Sequence, residues 1–298
     1  MKKIGDFGRK YGASYLMLGC WFVFFVFFTL IPIAISVVIS FTDFNMLQTP
    51  QFVGVDNYIR LLLADEIFVK SLANTLLFAV ITGPLGYILC FVMAWFINET
   101  GKIAKPILTF LFYSPSLAGS IYVMWTYVFS DDSYGLLNSI FMSTGILQSP
   151  VQWLTDPNYN FYVVIVVILW MSMGTSFLSF IAGFQSLNKS LFESAAIDGL
   201  RNRWQELWYI TLPQMVPQLL IGAVLTISSS FAVGSVPAAL TGNPSTDYST
   251  HTLLLHIEDY GNTRLELGYA SATAVVLFII MVVSWTVINK ALRSLGKD

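Results

Sequence analysis

The stretch that decides the fold of this chain is Glu193-Ser194-Ala195-Ala196-Ile197-Asp198-Gly199, continued by Ile210-Thr211-Leu212-Pro213. It is charged and patterned, whereas the whole chain has 11% charged and 56% hydrophobic residues and a mean hydropathy of +0.70. Soluble domains carry about a quarter charged residues. The composition therefore predicts a membrane protein, in which this stretch is a loop between two apolar runs that presents a surface outside the membrane.

Six charge-free intervals surround this loop, and each is long enough to cross about 30 Å of hydrocarbon as a helix. Within lipid, only a helix satisfies all its backbone groups inside one segment. We therefore predict an all-α polytopic membrane protein, a single transmembrane domain over residues 1–298. Its six transmembrane helices are predicted over residues 13–40, 72–97, 106–129, 160–185, 215–238 and 269–289, none of which contains Lys, Arg, Asp or Glu.

The basic residues predict the orientation of the helices, because cytoplasmic loops carry an excess of Lys and Arg. One side has only Arg60, Lys70 and Arg264. The other side has Lys2, Lys3, Arg9, Lys10, Lys102, Lys105, Lys189, Arg201, Arg203, Lys290, Arg293 and Lys297. Both termini and the loop over residues 187–213 are therefore predicted to be cytoplasmic.

The loop over residues 187–213 has the pattern of two short helices. Asn188 or Ser190 suits the cap of the first helix, and Glu193 is expected near its positive end. Gly199 offers the left-handed conformation that ends a helix. The second helix is expected to place Trp204, Leu207 and Trp208 on one face.

Polar and small side chains recur inside the predicted spans. A stripe on the fourth helix and four residues of the third are candidates for a substrate path: Ser172, Ser176, Ser179, Tyr113, Ser116, Tyr122 and Trp125. Polar aromatic rings stack on sugars, but the same residues equally suit core packing or the membrane interface. On the fifth helix, Gly222, Thr226, Ser230 and Gly234 recur every four residues, which favours close helix packing over a path.

The sequence lacks the residues that catalysis or metal binding would need. Gly101-Lys102 has neither the first glycine nor the hydroxyl residue of a phosphate-binding loop, so the chain has no ATPase motif. Two histidines in one outer loop and two cysteines within spans make no zinc site. We expect no catalytic residue, cofactor or metal in this chain, and no nucleic-acid partner.

The loop also carries a resemblance to a known family. Glu193 to Pro213 resembles the EAA loop of binding-protein-dependent ABC importer permeases, in the form of the carbohydrate-uptake branch. Outer-loop motifs are similar to those of sugar and glycerol-3-phosphate permeases: Ser40-Phe41-Thr42-Asp43-Phe44, Phe52-Val53-Gly54, Asn57-Tyr58, Tyr134-Gly135-Leu136-Leu137-Asn138 and Trp153-Leu154-Thr155-Asp156-Pro157. Ser194 departs from the alanine typical of the family, but serine is nearly as small.

The resemblance implies a type I ABC importer permease fold and a function. This chain and a second homologous permease subunit would form a pore for a sugar or oligosaccharide in the inner membrane of a bacterium or archaeon, surrounded by lipid. A cytoplasmic ABC ATPase dimer would hold ATP and Mg, and an extracytoplasmic sugar-binding protein would deliver the substrate. ATP-driven movement of the ATPase, transmitted by residues 187–213, would then change the cavity from inward-facing to outward-facing. We name residues 187–213 the coupling segment.

The resemblance also assigns roles to residues of the coupling segment. The contact with the ATPase would involve Glu193, Ser194, Ala195, Ala196, Asp198 and Gly199. Arg201 and Arg203 would support it electrostatically, and Leu212 and Pro213 would relay movement to the fifth helix. Two other functions stay open: a secondary sugar carrier that works without ATP, and a membrane receptor subunit that senses sugar. The spans contain no carboxylate or histidine relay, which counts against a proton-driven carrier.

Overall fold

A computed structural model describes residues 17–200 and 202–295, with side chains as far as residue 290. Arg201 and residues 13–16 of the first predicted span lie outside the described ranges. The regular secondary structure of the described chain is helical, apart from one isolated antiparallel bridge between Thr42 and Phe52. The helices are α1 Met17–Ile39, α2 Glu66–Asn98, α3 Ala104–Leu117, α4 Ile121–Val128, α5 Leu136–Ser143, α6 Pro157–Met171, α7 Thr175–Gln185, α8 Lys189–Ile197, α9 Arg203–Glu206, α10 Val216–Phe231, α11 Ser235–Thr241, α12 Leu253–Glu258 and α13 Leu267–Leu295.

Six segments have the length and apolar character of membrane spans. Five are α1, α2, α6 with α7, α10 with α11, and α13. The sixth is the pair α3 and α4, which bends by 86°. The third span is therefore not the continuous helix that the sequence predicted. Ala118, with φ −90° and ψ 90°, ends α3 three residues after Pro115, which has no N–H to donate to the helix.

Two further spans are interrupted near their middle. The fourth breaks between Met171 and Thr175, and the fifth breaks between Phe231 and Ser235. A non-helical glycine precedes each restart: Gly174 has φ −105° and ψ −132°, and Gly234 has φ −151° and ψ −52°.

These interruptions correct the two predicted stripes. Ser172 caps the end of α6, whereas Ser176 and Ser179 belong to α7. Gly234 lies in the break after α10, so it is not on one helical face with Gly222. Backbone that is not helical at membrane depth is tolerated where it is buried in protein or lines a cavity. The breaks therefore point to the place where a cavity is expected.

The described chain divides into two compact units, one of residues 17–64 with 257–276 and one of residues 65–200 and 202–256 with 277–295. In the larger unit, α2, α7 and α10 pack against one another. A Cβ atom on Gly222 would lie 2.6 Å from the Phe180 ring, and Thr226 donates to Ser176 Oγ at 2.9 Å. These small residues of α10 let α7 approach closely, as the packing interpretation predicted.

In the smaller unit, the first outer-loop motif residues hold the loop's backbone. Asn57 Nδ2 donates to the carbonyl oxygens of Ser40 and Thr42, both at 2.8 Å. Arg60 Nη1 binds Glu266 Oε2 at 2.6 Å, and its guanidinium lies 4.3 Å from the ring centre of Tyr269. Asn57, one of the residues that carry the family resemblance, therefore has a structural role in this loop.

The second outer loop is held by one buried amide, that of Asn138. Its Nδ2 donates to the carbonyl oxygens of Ser130, Asp132 and Val151 at 3.0–3.1 Å. Its Oδ1 accepts from the Val151 amide at 3.1 Å and from Trp153 Nε1 at 2.9 Å. Asn138 has no exposed surface, and its side chain joins three segments of the loop.

We expect Asn138→Ala to loosen the second outer loop. A hydrogen bond contributes about 0.5–1.5 kcal/mol to stability, and this change removes five of them. Proteolysis from the outer side should cut between residues 130 and 156 more readily in the variant. Ser139→Ala is the control, because its hydroxyl only donates to Leu136 O within the same helix. Equal protease resistance of Asn138→Ala and wild type would contradict the assigned role.

Candidate functional site

The first helix of the coupling segment is α8, and both of its ends are defined by specific caps. Asn188 Oδ1 accepts from the Ser190 amide at 3.1 Å at the start. At the end, the Leu200 amide donates to Ala195 O at 3.0 Å and the Gly199 amide to Ala196 O at 3.4 Å. Gly199 has φ +96°. This pair of hydrogen bonds with a left-handed glycine is a Schellman motif, and it fixes the direction in which the chain leaves α8.

The surface of α8 is mostly exposed. Ala195 is buried, whereas Glu193, Ser194, Ala196, Asp198 and Gly199 are exposed, and Ile197 is 87% exposed. One detail of the prediction is wrong: Glu193 is the fifth residue of α8, and the first turn contains no acidic residue. Its carboxylate therefore does not benefit from the positive end of the helix, where such effects are confined to the first turn.

The second helix starts at Asn202, whose Oδ1 accepts from the Trp204 amide at 3.1 Å. After α9 the chain forms a π-helix over Leu207–Thr211 and continues through Leu212–Gln214 to α10. The three residues predicted to share one face, Trp204, Leu207 and Trp208, differ in exposure. Leu207 is buried, whereas the two indoles are 58% and 63% exposed. The wider π turn changes the angular positions of successive side chains, which sequence spacing did not anticipate.

Arg203 forms ion pairs within this chain. Its Nη1 lies 2.8 Å from Glu206 Oε2, and its Nη2 lies 3.4 Å from Glu99 Oε2. The hydrogen bond to Glu206, together with the nearby charge of Glu99, raises the pKa of the guanidinium, which stays protonated. Leu212 and Pro213 form the short helical turn that leads into α10. Arg201 lies outside the described residues, so its predicted role stays a prediction.

A polar cavity of about 370 Å³ lies where both interrupted spans meet α2. Its lining includes Gly174 and Gly234, the glycines of the two breaks. No acidic, basic or histidine residue is among the described residues that line it. Eight hydroxyl side chains line it, namely Thr82, Ser172, Thr175, Ser176, Thr226, Ser229, Ser230 and Ser235. The cavity is therefore suited to a polar, uncharged solute.

Many of these hydroxyls also donate a hydrogen bond within the protein. Thr82 donates to Phe78 O at 2.8 Å, and Ser172 donates to Leu169 O at 2.7 Å. Ser229 and Ser230 donate to carbonyl oxygens three residues earlier, each at 2.9 Å. Each bond ties the hydroxyl to the backbone of its own helix, so the polar wall is fixed in position.

The structure brings only some of the predicted path residues to this cavity. Ser172 and Ser176 line it, and the Ser116 side chain lies next to Gly174. Tyr113 packs against the apolar cluster around Phe177 and Phe180. Tyr122 and Trp125 pack against a second cluster, where Trp125 meets Trp170 at a ring distance of 5.4 Å. Ser179 lies on α7 away from the cavity lining.

Sequence reasoning missed four of the hydroxyl lining residues, namely Thr82, Thr175, Ser229 and Ser235. A signal was available in the glycines inside the apolar runs, at Met173-Gly174 and at Val233-Gly234. Glycine within a span is a common site of interruption or close packing. Reading these glycines as breaks would have placed the hydroxyl residues around them on one cavity.

Comparison with known proteins supplies an independent view of the chain. The model of the family described as "Binding-protein-dependent transport system inner membrane component" matches residues 84–294. The probable ABC transporter permease protein YesP of Bacillus subtilis is 29% identical over 94% of this chain and 90% of that protein. The arabinooligosaccharides transport system permease protein AraP of the same species is 28% identical over 93% of this chain and 87% of that protein.

A solved structure has the same fold. It is described as a bacterial ABC transporter involved in the import of the acidic polysaccharide alginate, and it covers 99% of this chain and 100% of its own. The TM-score is 0.80 at 23% sequence identity. This likeness confirms the predicted all-helical importer-permease fold.

Proposed function

Because the chain belongs to the family of inner membrane components of binding-protein-dependent transport systems, we propose that it is a pore-forming permease subunit of an ATP-driven importer for a sugar or oligosaccharide. The observation that carries the substrate class is the hydroxyl-lined, uncharged cavity at the two helix breaks. Sugars offer many hydroxyl groups and need such partners. The name of the arabinooligosaccharide relative supports the same class.

The partners follow from the family and from the shape of the coupling segment. We assign the binding of ATP and Mg, and the hydrolysis of ATP, to a separate cytoplasmic ATPase dimer. A second permease subunit forms the other half of the pore. An extracytoplasmic sugar-binding protein delivers the substrate. The exposed side of α8, with Glu193, Ala196 and Ile197, provides the surface for the ATPase. The Schellman motif at Gly199 holds that surface at a set angle to α9.

The substrate route runs through the polar cavity. Ser172 and Ser176 keep their role as path candidates, with Thr82, Ser229 and Ser230 added to them. Tyr113, Tyr122 and Trp125 are better assigned to packing, given their neighbours, and Ser179 does not line the cavity. Movement that separates α7 from α10 would widen the cavity, because both helices border it and contact each other through Ser176 and Thr226.

The test is uptake into proteoliposomes that contain both permeases and either the intact ATPase or a variant that binds but cannot hydrolyse ATP. Radiolabelled arabinotriose, maltotriose and lactose serve as probes, each with a binding protein that captures it. We expect accumulation against a gradient only with intact ATPase. Accumulation with the inactive ATPase would indicate a secondary carrier, and hydrolysis-dependent signalling without accumulation would indicate a sensing receptor.

A further inference from the structure

The cytoplasmic end of α2 meets the coupling segment at two neighbouring points. The indole rings of Trp95 and Trp204 lie 5.1 Å apart between centroids, at an interplanar angle of 65°. Glu99, one helical turn after Trp95, pairs with Arg203 at 3.4 Å. Two consecutive residues of α9 thus contact two residues on one face of α2.

The two contacts differ in strength. The ion pair is exposed, with side-chain exposures of 66% for Arg203 and 40% for Glu99, and exposed pairs contribute little. The indole pair has the edge-to-face geometry in which aromatic rings attract each other beyond simple burial. The rings therefore carry most of the connection, and the ion pair orients α9 against α2.

The helix α2 extends this connection through the membrane. It has 33 residues, or about 50 Å at 1.5 Å per residue. Near its outer end, Asn74 Nδ2 donates to Tyr248 O and His251 O, both at 2.9 Å. Midway along it, Thr82 lines the polar cavity. A displacement of the cytoplasmic end of α2 therefore acts on the cavity and on the third outer loop.

We propose that Trp204 and Arg203 are positioning residues that transmit movement of the coupling segment to α2. This gives the segment two outputs: α10, through the helical turns over Leu207–Gln214, and α2, through Trp204 and Arg203. The inference rests on the proposed function, because that function supplies the ATP-driven movement. It also changes the role predicted for Arg203 from support of the ATPase contact to a connection within the chain.

Trp208 provides a matched control for Trp204. It lies four residues further along and is 63% exposed, against 58% for Trp204. Among the residues that the structure describes, no aromatic ring packs against Trp208. A general effect of removing a cytoplasmic indole would appear in both variants, whereas an effect transmitted to α2 would appear only for Trp204.

The experiment measures distances by pulsed EPR in the complete complex, without nucleotide and after trapping with ATP and vanadate. The chain carries Cys20→Ser and Cys90→Ala, and spin labels are placed at exposed positions. One label pair reports α2 against α7, through Leu85→Cys and Ala182→Cys. The other pair reports α10 against α7, through Val224→Cys and Ala182→Cys.

We expect ATP and vanadate to shift both distances in the otherwise unmodified chain. In Trp204→Ala, the population with the shifted α2–α7 distance should fall by roughly two- to tenfold, the range expected for loss of one aromatic pair. The α10–α7 shift should persist, and Trp208→Ala should change neither. Trp95→Ala should match Trp204→Ala, and the double variant should be no worse than either single variant.

Several results would overturn the inference. The first is an unchanged α2–α7 shift in Trp204→Ala, and the second is an equal loss of that shift in Trp208→Ala. The third is that Trp95→Ala and Trp204→Ala act independently in the double variant. The fourth is loss of co-purified ATPase from Trp204→Ala, which would make Trp204 a direct contact with the ATPase. If neither distance shifts in the unmodified chain although the ATPase is bound, the proposed function fails, and this inference with it. The result for the chain with native Trp204 thus distinguishes failure of the proposed function from failure of the inference about Trp204 alone.

Discussion

Gly199→Val is expected to reduce ATP-coupled uptake by about tenfold or more while the protein still inserts into the membrane. A non-glycine residue in the left-handed region costs roughly 1–2 kcal/mol, and a β-branched residue suits that region least. At φ +96° the valine either strains the turn or breaks the Schellman hydrogen bonds from Gly199 and Leu200. Either result changes the angle between α8 and α9, and so the surface offered to the ATPase.

The space around Gly199 makes this test specific to backbone conformation. A Cβ atom at Gly199 meets no described residue beyond its chain neighbours within 4 Å, so contact with other described parts of the protein adds nothing to this backbone cost. Gly101, in the other cytoplasmic loop, is equally open but has no positive φ, and Gly101→Val should leave uptake unchanged. Gly199→Asn should retain much of the activity, because asparagine tolerates this region. Uptake and co-purified ATPase are the measurements; wild-type values for Gly199→Val would refute the assignment.

Ser229→Phe is the second variant with a large expected effect. The ring would project into the polar cavity of about 370 Å³ and replace a hydroxyl with apolar surface. Uptake should fall by more than about tenfold, since a 1.4 kcal/mol penalty on passage is already a factor of ten. ATP hydrolysis should continue, because Ser229 lines the cavity and is not part of the coupling segment.

Ser228→Phe is the matched control for this variant. Ser228 and Ser229 are both exposed, and each donates to a carbonyl oxygen of its own helix at 2.9 Å. Only Ser229 lines the cavity. Uptake and hydrolysis are measured together in proteoliposomes for both variants. Equal uptake by the two would show that the cavity is not on the substrate route.

The distribution of charge in the sequence predicted the spans and the helical class. It could not predict where the helices are interrupted, and the structure explains why. A charge-free run shows that a segment crosses the membrane, but it does not show where a helix is interrupted. Gly174 and Gly234 break two spans, and the bend after Pro115 turns the third by 86°. Apolar residues fill both halves of each broken span, so hydropathy carries no trace of the break.

Local chemistry was easier to predict than side-chain partners. Asn188 and Gly199 cap α8 as expected, since caps depend on one residue and its neighbours in the chain. The pairing of Arg203 with Glu99 and the approach of Trp204 to Trp95 join residues about a hundred positions apart. No spacing rule applies at that range, and the π turn at Leu207 disturbed even the local pattern.

The hydroxyl bonds to backbone carbonyls have a consequence for the polarity of the cavity. A serine or threonine hydroxyl has one hydrogen to give and two lone pairs. Thr82, Ser172, Ser229 and Ser230 give their hydrogen to their own helix, so toward the cavity they offer lone pairs only. These four hydroxyls can therefore accept hydrogen bonds from the O–H groups of a neutral polyol, but they have no hydrogen left to donate to it.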